Sequence, residues 1–232
     1  MRSSRWNAQG NVYLVTEETP LTAEAVRAEV GDADGLLEVL AAGSDWVEIA
    51  IWNPDGSRAE LSGNGTRIAA RWLAARTGAG TVTVRVDTRE VRARMLDETR
   101  VEQDVGPVDV GSPEEIDGIR FTAVIVGNPH AVVEGDPAEL PRIGPLLETH
   151  RRFPGRTNVQ VARWCGDEIE ARVWERGVGE TASSGTSAVA VAAALGASDT
   201  TVRFPGGPLH VRFADGRALL TGPAVRVDVD GR

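Results

Sequence analysis

Two serines stand where acid–base chemistry could be done. Ser62 opens the stretch SGNGTRIAARWLAAR (62–76), and Ser184 opens SGTSAVAVAAAL (184–195). In each, Ser-Gly and a short polar turn lead into a run of small residues with strong helix propensity. Each run is followed by a strand pattern of threonine and valine, TVTVRV (81–86) and TTVRF (200–204). A glutamate precedes each serine, Glu60 and Glu180. The copies are offset by 122 residues (184 minus 62), close to half of the 232-residue chain. That self-similarity reads as an internal duplication, two α/β halves each with a buried helix.

The first turn of a helix carries backbone N–H groups without intrahelical acceptors and the positive end of the helix dipole. A glycine after the serine lets a ligand approach that backbone closely. Two such halves facing each other would hold a carboxylate, or a carbanion-like intermediate, by amide donors from both sides. Each would also present one serine to an opposite face of the ligand. Inversion at carbon needs that arrangement, since one group removes a proton and another returns one from the far side. The plain structural role of both serines is that of helix N-caps.

Composition narrows the chemistry. All 25 basic residues are arginine. Lysine Schiff bases, Walker-type phosphate loops and lysine general bases are therefore excluded. Cys165 is the only cysteine, which excludes an internal disulfide, a Cys-x-x-Cys redox pair and a cysteine-rich zinc site. It is expected to be a buried structural thiol. Three scattered histidines, His130, His150 and His210, do not suggest a metal site. A net charge of −9 without arginine runs argues against nucleic acid and favours a small-molecule partner. The N-terminus does not read as a signal peptide, and the longest apolar run, 188–195, is too short for a membrane span. No membrane association and a cytoplasmic location are expected.

The positioning elements are mostly strands. Segments 11–15, 46–51, 81–86, 91–95, 120–126, 158–163, 169–174, 201–204, 210–213, 218–221 and 225–229 alternate or run apolar between Gly, Pro and Asp turns. Helices are expected at 64–76 and 186–195, from an N-cap at Thr22 to about Val30, and between Pro137 and His150. Many strands with few helices suggest an α+β fold with sheets wrapped on central helices, not a doubly wound parallel sheet.

Five stretches in order then resemble the diaminopimelate epimerase family. Gln9-Gly10-Asn11 is similar to its first substrate loop, and NPDGSRAELSGNGT (53–66) to its first catalytic motif. GNPHAVV (127–133) and FPGRTNV (153–159) resemble further motifs, and ERGVGETASSGT (175–186) resembles the second catalytic motif. The resemblance spans most of the chain. It implies two similar domains about a pseudo-twofold axis, each a mostly antiparallel sheet wrapped around a central helix. The expected division is 1–115 completed by the C-terminal strand 218–232, and 116–217. It further implies cofactor-independent isomerisation of an amino acid, LL- to meso-diaminopimelate, in lysine and cell-wall synthesis. A homodimer stays open.

The family's two acid–base positions are cysteines, and they fall on Ser62 and Ser184 here. A thiol has a reference pKa near 8.5 and is tuned towards thiolate at a helix N-terminus. A serine is a far weaker acid and acts as a base only with a partner that takes its proton. By resemblance, His130 and Glu175 border the reacting centre and are the candidate partners. Substrate binding is carried over to Asn11, Asn53, Asn128 and Asn158, and to the helix-terminus residues Gly63, Asn64, Gly185 and Thr186. Glu175 and Arg176 match the pair that anchors amine and carboxylate. Asparagine suits such work because one side chain donates and accepts, although Asn53-Pro54-Asp55-Gly56 is also a good turn sequence. The family's first loop continues with an aspartate and an aromatic residue, where this chain has Val12 and Tyr13. The alternatives are a different isomerase or lyase on the same scaffold with Glu175 or His130 as base, as the proline racemase and phenazine-pathway groups suggest, or an inactive amino-acid-binding homologue.

Overall fold

The structure, a computed structural model, describes residues 3–59 and 62–227. The chain divides into two compact units, 1–104 with 221–232, and 105–220. The boundaries read from the sequence were 115/116 and 217/218. Glu60 and the end of the strand expected at 225–229 lie outside the described residues.

In the first unit, β1 (Ser3–Ala8) and β2 (Asn11–Thr16) form a hairpin. Gln9 and Gly10 make its two-residue turn with φ of 58° and 85°. Positive φ at both central positions matches the twist of a hairpin, and glycine supplies the second at no steric cost. Helix α1 (Ala23–Glu29) crosses to β3 (Gly35–Ala42), which lies parallel to β2. β4 (Trp46–Trp52) returns antiparallel and carries the short β5 (Arg58–Ala59) on its edge. Helix α2 (Gly63–Thr77) then crosses to β6 (Thr81–Val86), parallel to β4. β7 (Arg89–Met95) and β8 (Arg100–Pro107) follow as antiparallel neighbours.

The second unit repeats this order. β9 (Asp109–Ile116), β10 (Ile119–Ile125) and β11 (Pro129–Glu134) form an antiparallel meander. A 3-10 turn and α3 (Leu140–Glu148) cross to β12 (Asn158–Cys165), parallel to β11. β13 (Glu168–Glu175) returns antiparallel with β14 (Gly179–Thr181) on its edge. Helix α4 (Gly185–Ala194) crosses to β15 (Asp199–Phe204), parallel to β13. β16 (Gly207–Ala214) and β17 (Arg217–Pro223) end the unit, and β18 (Val225–Arg226) pairs with β1 in the first. The same sequence of hairpin, crossover helix, hairpin and buried helix therefore occurs twice. This is the duplicated α+β architecture that the residues pointed to.

Each sheet carries helices on both faces. In β3, Leu37 joins the core around α2, while its neighbour Leu36 packs towards α1 with Val26 and Trp52. A strand covered on both faces loses apolar–polar alternation, and for that reason the GLLEVLAA pattern of β3 is hard to read as a strand. Residues 64–70 of α2 and 187–192 of α4 are buried without a break. A helix buried all round is largely small or apolar, which explains the alanines, with Asn64, Thr66 and Arg67 as buried polar exceptions in α2. α4 packs Val189 and Val191 against Ile169, Val173, Val202 and Leu209. α3 packs Leu140, Ile143 and Leu147 on the other face, against Phe121 and Val159.

Cys165 departs from expectation. It lies exposed at the end of β12, because the strand runs out into a turn there and leaves no apolar surface to cover the thiol.

Candidate active site

Ser62 is the N-cap of α2. Its backbone is extended, and its Oγ accepts the Gly65 N–H at 3.0 Å. The phenol of Tyr13 on β2 lies 3.1 Å from the same oxygen. Asn64, in the first turn, donates from Nδ2 to Asn11 Oδ1 at 2.7 Å. Asn64 Oδ1 in turn accepts from the Arg67 guanidinium. Arg67 is wholly buried. Its Nε reaches Pro223 O at 3.5 Å, and Nη1 has no partner among the described residues. Burial pushes its pKa down to about 10. The first-turn amides of Gly63 and Asn64 meet no acceptor among the described residues.

Ser184 holds the equivalent place before α4 with an extended backbone, yet its side chain makes no capping bond. The amides of Gly185 and Thr186, at the start of a buried helix, meet no acceptor among the described residues, and Ser184 itself is only 8% exposed. Beneath that turn lies a polar chain. Gln160 Nε2, on β12, lies 2.9 Å from Ser187 Oγ and 3.0 Å from His130 Nδ1. His130 Nε2 lies 2.8 Å from Asn128 Oδ1. An Nε2–H tautomer satisfies this set, with Asn128 accepting and Nδ1 taking the Gln160 N–H.

His130 is 1% exposed, and burial pushes its pKa down to about 3. The ring is therefore neutral, and both nitrogens are occupied. The geometry has it hold Asn128, whose Nδ2 remains available among the described contacts.

Glu175 ends β13 and accepts from the Thr181 hydroxyl at 2.6 Å. No cation among the described residues pairs with it, and burial raises its proton affinity above the usual carboxylate range. Arg176 is its exposed neighbour. Its guanidinium has no carboxylate partner among the described residues and reaches only Gly155 O, at 3.4 Å. Asn158 ties the strands together, because Oδ1 accepts the Arg176 N–H at 3.0 Å and Nδ2 donates to Pro129 O at 3.0 Å.

Asn53 sits in a turn. Its Nδ2 donates to Ser57 Oγ at 2.9 Å, and Gly56 N–H closes the turn onto Asn53 O. The turn role, one of the two readings of NPDG, is the one its contacts serve. Glu180 pairs with Arg172 across the strands at 2.6 Å.

The first unit brings together Asn11, Ser62, Gly63 and Asn64. The second gathers Asn128, His130, Asn158, Glu175, Arg176, Ser184, Gly185 and Thr186 on the β11–β13 strand ends and the α4 N-terminus. Sequence reasoning missed Gln160, Arg67 and the contact of Tyr13 with Ser62. The signal for Gln160 was a polar residue set between the buried valines of VQV (159–161).

The comparisons with known proteins agree with this architecture. The diaminopimelate epimerase family matches residues 122–227. A diaminopimelate epimerase of Pelotomaculum thermopropionicum is 37% identical over 228 aligned positions, covering 84% of this chain and 81% of that protein. One of Synechococcus elongatus is 39% identical over 277 aligned positions, covering 98% of this chain and 96% of that protein. Among solved structures, a protein described as a predicted epimerase of Pseudomonas aeruginosa shares the fold with a TM-score of 0.78 at 17% identity. That match covers 97% of this chain and 96% of the other.

Proposed function

The chain belongs to the diaminopimelate epimerase family, a family of isomerases, and from that premise we propose that it inverts the α-carbon of LL-diaminopimelate to the meso form without a cofactor. One observation carries the reading. Each unit sets one serine at the N-terminus of a buried small-residue helix whose first two amides meet no acceptor among the described residues. Inversion needs one acid–base group per face of the carbon, and the two serines are a pair of such groups.

In this reading helix-terminal amides of the kind found behind these serines hold the reacting carboxylate and the charge that develops on it when the α-proton leaves. Glu175, desolvated and without a cation, fits the substrate ammonium. An ammonium beside it would offset the cost of burying its charge. Arg176 fits a carboxylate by a two-pronged contact. Asn11, Asn64 and Asn128 supply the remaining polar contacts, and Asn158 fixes the strand ends from which Arg176 projects. Ser62 and Ser184 are the acid–base pair.

Proton NMR of the protein with LL-diaminopimelate in D₂O tests this. The α-proton signal should decay in a protein-dependent way, and Ser62→Ala and Ser184→Ala should each abolish the decay. Ser62→Cys with Ser184→Cys should accelerate it. Binding without any exchange, in the parent and in the double cysteine variant, would overturn the assignment.

A second reading has its own observation. Glu175 holds its proton more tightly than an ordinary carboxylate, as a lone general acid–base group does. A one-sided proton shift would follow, and a new double bond appearing in the ultraviolet would identify it.

A further inference from the structure

We propose that Tyr13 is the proton partner of Ser62, so that the hydroxyl pair does the work for which a serine alone is too weak an acid. The proposal rests on the reading that Ser62 is one of the two acid–base groups.

The geometry is local to the first unit. Tyr13 Oη lies 3.1 Å from Ser62 Oγ, and either can donate. Ser62 Oγ also accepts the Gly65 N–H, which leaves it one lone pair and one proton to share between Tyr13 and a ligand. The phenol is held firmly. Val12 N–H donates to Asp34 Oδ2 at 2.7 Å, and Asp34 N–H donates back to Val12 O at 2.8 Å. Tyr13 pairs in register with Gly35 on the parallel strand β3. A Cβ at position 35 would fall 2.6 Å from Tyr13 Cε1 and 2.8 Å from Trp52 O. Gly35 is therefore the space in which the ring lies.

Arg67, buried beneath the same turn of α2, interacts attractively with an ionised Tyr13. Asp34 is committed to the Val12 amide. Glu38 of β3 is committed elsewhere, to Thr19, Leu21 and Trp52. A phenol has a reference pKa of about 10, well below that of an alkyl hydroxyl.

The proton steps balance. In the forward direction the substrate Cα–H bond breaks, and its electron pair stays on the carbanion. The proton goes to Ser62 Oγ, whose own proton passes to the Tyr13 phenolate. In reverse, Tyr13 O–H gives its proton to Ser62 Oγ as Ser62 gives its own to the carbanion, and the phenolate is restored. Tyr13 touches no reacting atom, so it acts as a positioning residue and relay.

Tyr13 is the only tyrosine in the chain, so the near-ultraviolet tyrosinate absorbance reports on it alone. In the wild-type protein, tyrosinate should appear over the same pH range in which α-proton exchange from LL-diaminopimelate rises. Tyr13→Phe keeps the ring and should lower the exchange rate by about 100-fold, with KM changed by less than about twofold and the alkaline rise gone. Adding Ser62→Cys to Tyr13→Phe should restore exchange, because a thiol needs no relay. A Tyr13→Phe protein with the wild-type rate and pH profile would overturn the proposal. So would a folded Tyr13→Phe protein that Ser62→Cys does not rescue, or a tyrosine that ionises only on unfolding. A wild-type protein without exchange would instead remove the acid–base reading beneath it.

Discussion

Gln160 Nε2 lies 2.9 Å from Ser187 Oγ, at the place where the first unit sets Leu37 against Gly65. The positions correspond, since Gln160 and Leu37 lie on the parallel strands β12 and β3, and Ser187 and Gly65 are each three residues past the helix-opening serine. The duplicated frame thus carries an apolar contact at this one position in the first unit and a polar one in the second. Gln160→Leu would copy the apolar version without its partner changes. His130 Nδ1 and Ser187 Oγ would lose their shared partner in a buried place. The expected loss is about 1–3 kcal/mol, measured by urea denaturation at neutral pH.

The two serines should also differ in stability cost. Ser62 caps α2 through Gly65, and Ser184 caps nothing. Ser62→Ala should lower stability by about 1 kcal/mol, and Ser184→Ala by less than about 0.5 kcal/mol. Paired thermal melts decide this. Equal losses would show that the Ser62 bond does not persist in solution.

His130 sets a pH dependence. Its folded pKa is about 3, against a reference of 6.5. Between these values the unfolded chain holds the extra proton. Stability from the neutral ring is complete above 6.5 and falls as the pH drops towards 3, by up to about 1.36 kcal/mol per pH unit. Urea midpoints at pH 7, 6 and 5 should fall in step, and His130→Gln should flatten that limb. An unchanged slope in the variant would place the titration elsewhere.

Glu175 works in the opposite sense. Its folded pKa is raised by burial, so the folded state keeps the proton longer, and stability is lost as pH rises above about 4.5 through the folded pKa. Glu175→Gln should be more stable than the wild type at pH 7 and should lose α-proton exchange. A variant that is both less stable and active would contradict the role assigned to this carboxyl group.

What the residues disclosed, and what they hid, follows from locality. The Ser-Gly openings of α2 and α4 and their Thr-Val strands were legible because each signal lies within about 20 residues and depends on helix and strand preferences. β3 and β11 went unread, because parallel strands covered on both faces do not alternate. β9, DVGSPEEI, is mostly exposed and shows neither period. The Tyr13–Ser62 contact joins residues 49 apart and exists only once β2 and α2 are set side by side. Tyr13 drew notice as a departure from a family pattern, and its phenol acquires a partner only in three dimensions. The burial of His130 and its contacts with Asn128 and Gln160 are likewise set by the fold and not by any local pattern.

The exposed sulfur of Cys165 gives the molecule a single address for covalent attachment. β12 runs eight residues from Asn158 to Cys165, so about 23 Å of extended strand separates that sulfur from the amide that steadies Arg176. With no lysine amines competing, a maleimide dye or a thiol-reactive surface would label native protein at one defined point. Binding could then be followed by fluorescence or surface methods on the natural sequence, with the serines and their neighbours untouched by the chemistry of labelling.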